Sequence, residues 1–78
     1  MKNAHIELVK EYLLEESEVV TVKSVEEDTI YFNVIDDINF TAKAEAFYDE
    51  DDNIKGFELE FKEEGQNFYK GSGTVFVD

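Results

Sequence analysis

Residues 39–48 read Asn39-Phe40-Thr41-Ala42-Lys43-Ala44-Glu45-Ala46-Phe47-Tyr48, and this stretch decides the fold. Apolar and polar side chains alternate from Phe40 to Ala46, the period of a strand with one face buried. Three alanines on the apolar face suit a central strand, because small side chains let a helix approach the sheet closely. The neighbouring runs repeat the alternation with larger residues: Ile30, Phe32 and Val34 on one side, Phe57, Leu59 and Phe61 on the other.

Working outward, the segments Val19–Val25, Thr29–Ile35, Asn39–Tyr48, Gly56–Lys62 and Phe68–Val77 are alternating or rich in β-branched and aromatic residues, and read as five strands. The breaks between them, Glu26–Asp28, Asp36–Asp37, Asp49–Lys55 and Glu63–Asn67, are short and polar, which favours antiparallel neighbours. Gly71 and Gly73 predict a bulge or bend in the last strand.

The first sixteen residues carry the other period. Ile6, Val9 and Leu13 make a helical stripe, with Asn3 as the expected N-cap. Glu7, Glu11 and Glu15 line the opposite face as like charges at i+4 steps, and Glu15, Glu16 and Glu18 crowd the negative end of the helix dipole. The helix is therefore expected to fray beyond Leu14. The fold class is α+β: one N-terminal helix packed on one face of a five-stranded antiparallel meander sheet. Residues 1–78 show no repeat or linker and read as a single small acidic domain.

Twenty Asp and Glu face seven lysines and no arginine, a formal net charge of −13. That excludes direct binding to nucleic acid or to an anionic membrane, both of which need clustered positive charge. With 42% hydrophobic and 14% aromatic residues the chain is too apolar for a disordered tail. No apolar run is long enough to span a bilayer, no signal-peptide pattern is present, and a soluble cytoplasmic protein is expected. Without cysteine there are neither disulfides nor thiolate metal ligands.

A meander puts alternate connections at the same end of the sheet. One end then gathers Glu26, Glu27 and Asp28 with Asp49, Glu50, Asp51 and Asp52. The other gathers Glu15, Glu16 and Glu18 with Asp36, Asp37, Glu63 and Glu64, so each end holds seven carboxylates. A domain of this size is expected to be roughly 30 Å across, a length of duplex DNA bearing roughly 18 charges. Solubility alone accounts for such acidity; so does imitation of nucleic acid.

Catalytic and metal motifs are weak. Asp49, Asp51, Asn53 and Glu60 fall at positions 1, 3, 5 and 12 of a calcium loop, but Ile54 stands where the loop needs glycine and the flanks read as strands. His5 is the single histidine and has no ligand partner at helical spacing. Ser17, Ser24 and Ser72 belong to no nucleophile motif, and Gly71-Ser72-Gly73-Thr74 lacks the lysine and following helix of a phosphate loop. Glu58 and Glu60 share an outer sheet face, where little burial is available to raise a pKa. By alternation that open face also shows Val25, Tyr31, Ile35 and Phe47.

The residues thus point to a non-enzymatic binding protein with no cofactor and no metal site. In size and charge it resembles, as a class, small acidic inhibitors of the phage type that occupy the basic groove of a nucleic-acid-binding enzyme. The expected partner is a basic nucleic-acid-binding protein. The contact set comprises Glu7, Glu11, Glu15, Glu26, Glu27, Asp28, Asp49, Glu50, Asp51 and Asp52, with Tyr31 or Phe47 as apolar anchor. The alternatives are a homodimeric accessory or immunity-type protein using the open sheet face, and a weak calcium binder.

Overall fold

The computed structural model describes residues 2–77, with the backbone alone at residue 72. Helix α1 (Asn3–Leu14) precedes strands β1 (Val19–Glu26), β2 (Thr29–Ile35), β3 (Asn39–Tyr48), β4 (Ile54–Glu63) and β5 (Lys70–Phe76). The strands form one antiparallel sheet in the order β1-β2-β3-β4-β5. The architecture is α+β, and β2 and β3 have the bounds their alternation predicts. No helix among the described residues is long and apolar enough to cross a membrane.

Register explains the core. Ala42 lies between Phe32 and Phe61, Ala44 between Ile30 and Leu59, and Ala46 opposite Phe57. All of these but Phe61, which is half-buried and packs against them, join Val9 and Leu13 of α1, together with Val20, Val34 and Val75, in one buried cluster. Phe32, Phe57 and Ile30 are fully buried, and burying each such side chain is worth about 1.5–3 kcal/mol. The His5 ring meets Phe57 edge-on at 5.9 Å, yet its buried Nδ1 has no hydrogen-bond partner.

Several boundaries differ from the reading of the residues. Asn3 is the first helical residue, not the N-cap; Lys2 holds that place in an extended conformation and supplies no side-chain bond. The Lys2 carbonyl accepts the His5 N–H at 3.0 Å, so the turn closes through backbone alone. Strand β4 begins earlier than Gly56, since Ile54 still pairs with Tyr48 across an irregularity. Strand β5 begins only at Lys70, where Gly71 takes φ +87° and the pairing shifts between Leu59 and Phe61.

The larger correction concerns β1. Its register slips between Val22 and Ser24, so Ser24 faces Tyr31 and Val25 faces Ile30. One extra residue in a strand reverses the sides of everything after it. Val25 therefore belongs to the edge of the core face rather than the open face, and is 45% exposed there.

Candidate functional site

The acidic residues of the helix and the connections fall into four groups, and the structure keeps them apart more than the sequence implies. Glu7 and Glu11 project from α1 and Glu15 caps its C-terminus, all three exposed; eight helical residues extend this stripe over about 12 Å. Glu26, Glu27 and Asp28 close the β1–β2 turn. Asp28 is half-buried, its carbonyl accepting the Ala46 N–H at 2.8 Å and its carboxylate the Thr29 hydroxyl at 3.4 Å.

Asp49, Glu50, Asp51 and Asp52 form the tip of the β3–β4 hairpin. The Asp28 carbonyl is level with Ala46, and β3 then continues through Tyr48, so Asp49 stands three residues, about 10 Å, beyond Asp28. The two connections share an end of the sheet, but they are staggered rather than level. The cause is strand length: β3 outruns β2 by three residues.

Within the tip, Asp49 has a structural role. Its Oδ1 accepts the N–H groups of Asp51 at 2.9 Å and Asn53 at 3.0 Å, and its own N–H donates to the Asn53 carbonyl. This local bonding closes the turn, with Asp52 at φ 62°, a conformation Asp tolerates better than most residues. Glu60 lies six residues along β4 from Ile54 and pairs with Lys43 at 3.7 Å, so the calcium-loop positions are not brought together. Among the described residues no three His, Cys, Asp or Glu side chains form a group able to hold a metal.

The opposite end is level. Glu64 donates its N–H to the Asn39 carbonyl and accepts from the Asn39 side chain, while the Glu18 N–H donates to Ile35. These bonds draw Asp37, Glu63 and Glu64 around one hollow, and Glu16, Asp36 and Glu63 around another. This end therefore adds Glu16, Asp36, Asp37, Glu63 and Glu64 to the acids named above. Lys43–Glu60 is the one ion pair among the described residues, and it lies on the sheet face.

That face is mixed rather than apolar. Thr21, Asn33, Thr41 and Lys62 make one cross-strand row; Ser24, Tyr31, Lys43 and Glu60 make the next. Lys43 and Lys62 each place their Nζ 5.1 Å from the Tyr69 ring centroid, so a tyrosine from the β4–β5 connection is held by two cations. Phe47 is half-buried and meets Phe76 edge-on at 6.0 Å, a ring engaged within its own sheet.

The Tyr31 phenol is held above its ordinary pKa, first by desolvation and then by the Glu26 carboxylate as charge and hydrogen-bond acceptor; Tyr69 adds to the rise and Lys43 opposes it. A raised folded pKa favours the protonated phenol. Its stability contribution is complete below the ordinary tyrosine value near 10.0 and is lost as pH rises through the higher folded value. Tyr31→Phe is expected to flatten that alkaline decline in urea melts. An unchanged decline would show that the Tyr31 phenol is not held above its ordinary value.

No family model matches the chain, and neither a curated protein nor a solved structure matches it.

Proposed function

We propose that this is a non-enzymatic acidic binding protein of the cytoplasm, whose carboxylate groups engage a basic nucleic-acid-binding protein in place of nucleic acid. The observation that carries the reading is the state of the carboxylates: among the described residues a single one is in an ion pair. A chain bearing −13 and leaving its acids unneutralised repels itself in the folded state, and a basic partner relieves that cost.

The geometry adjusts the likeness. The long axis is 39 Å, so thirteen net charges, or twelve with Asp78 left aside, amount to about one per 3 Å. Duplex DNA carries about one per 1.7 Å and each of its strands about one per 3.4 Å. The linear density is therefore that of one strand rather than of a duplex. In this reading α1 covers one face of the sheet, supported by the burial of Val9 and Leu13 and by the His5–Phe57 contact. The exposed stripe Glu7, Glu11 and Glu15 then links the two acidic ends.

The test is capture on the immobilised protein, elution along a salt gradient, and competition of each captured protein with single-stranded and duplex nucleic acid. A nucleic-acid-binding protein released by salt and displaced by nucleic acid is the expected result. Partners that resist salt, or that nucleic acid leaves in place, would defeat the reading.

A further inference from the structure

Between the end of α1 and the β4–β5 pair the core stays open, in a groove of about 460 Å³. Leu13, Leu59 and Phe61 form its base, and Tyr12 and Ile38 stand at its lip. Those two lip residues are 42% and 50% exposed, large apolar side chains with nothing over them. The groove stays open because β5 sets Gly71 and Gly73 over its base, with Lys70 at the rim. Gly73 pairs with Leu59, and Gly71, at φ +87°, lies against the Phe61 ring.

The rim is one-sided in charge. Glu16, Asp36 and Glu63 line it against a lone Lys70, and none of the three acids is ion-paired among the described residues. Acids of one sign beside low-dielectric walls concentrate a negative potential where an apolar group would sit. A purely apolar ligand leaves those acids without a counter-charge, and an anionic one is repelled. The volume lies within the range of ligand pockets, about 300–1,000 Å³.

We propose that this groove takes an apolar side chain from a lysine- or arginine-flanked segment of the partner, with Glu16, Asp36 and Glu63 holding the flanking cations. The proposal rests on the reading of a basic partner and adds where its anchor enters. It moves that anchor site from Tyr31 and Phe47 to the other side of the sheet. Tyr12 at the lip offers a ring face to a flanking cation.

The chain contains no tryptophan, so a tryptophan in a probe reports alone. The probes are a short lysine-rich peptide with one central tryptophan and the same peptide with serine in that place. The protein is used whole, as wild type and as two variants. Gly73→Val adds bulk to the groove from a position where a Cβ meets Leu59 and the Tyr12 hydroxyl at 3.7 Å, an ordinary contact. Ile38→Ser removes an exposed lip residue. The expected result is a blue-shifted tryptophan, with each variant weakening that peptide about tenfold and leaving the serine peptide unchanged. Equal binding of both peptides, indifferent to Gly73→Val, would overturn the groove and leave the acidic-surface reading standing. Failure of both peptides to bind at low salt sinks both readings.

Discussion

Gly56→Val is expected to destabilise the protein by about 3 kcal/mol or more, at the upper end of what overpacking costs. A domain of this size is stable by roughly 4–12 kcal/mol in all, so the substitution removes a large part of the total. Gly56 is buried in β4, between Phe47 of β3 and Phe76 of β5. A Cβ placed there would stand 2.5 Å from the Val75 carbonyl oxygen and 2.8 Å from the Phe47 ring. The ring can swing away; the carbonyl belongs to the β4–β5 ladder, which Val77 N–H to Lys55 continues at 2.9 Å. Phe47→Ala should therefore fail to rescue Gly56→Ala, whose smaller side chain meets the same oxygen. Urea melts of the two single variants and the double variant decide this. A rescued double variant would mean that the ring, not the backbone, sets the limit.

Phe47 illustrates what the sequence could and could not show. Its place on the open face follows from alternation, and β3 and β2 were legible to the residue because an unbroken period of two runs between polar turns. The pairing of Ala42 and Ala44 with large neighbours followed from the same period. That Phe47 lies over Gly56 depends on register with a strand beginning at Ile54, and no local pattern marks that start. The slip after Val22 is similar. One inserted residue moves Val25 to the other side while leaving composition unchanged. The stagger of the acidic turns needs strand lengths and register together. The groove draws on four separated segments, and its one local trace is the pair Gly71 and Gly73, which the sequence explains equally well as a bend.

These differences redistribute the candidate surface. The hairpin tip stands clear of the β1–β2 turn, whereas Glu16, Asp36, Asp37, Glu63 and Glu64 line two adjoining hollows at the other end, where the Glu64 N–H donates to the Asn39 carbonyl. A basic partner reaching the tip touches one set of acids, and one reaching the level end meets acids together with an apolar floor. Charge alone attracts a partner to either end and speeds association; an apolar cleft beside charge adds specificity.

Neutralising the tip should move stability and binding in opposite directions, by amounts large enough to separate the two explanations of the acidity. The variant is Glu50→Gln with Asp51→Asn and Asp52→Asn, leaving Asp49 in place because its carboxylate closes the turn. Asn also accepts the positive φ of Asp52, so no backbone strain is introduced. At about 0.01 M salt the Debye length is roughly 30 Å, comparable with the molecule, and each tip charge is repelled by most of the others. Removing three should raise the melting temperature by several degrees, since about 1 kcal/mol is worth roughly 4–8 °C in a domain of this size. At 1 M sodium chloride, with a Debye length of about 3 Å, variant and wild type should melt together. Affinity for a captured basic partner should fall about tenfold or more, as three interface charges worth up to about 1 kcal/mol each are lost. If the variant is steadier at low salt and binds as before, the tip serves solubility and the contact lies at the level end. A variant no steadier at low salt would show that self-repulsion is not stored at the hairpin tip, and would remove the physical reason for a partner to relieve it there.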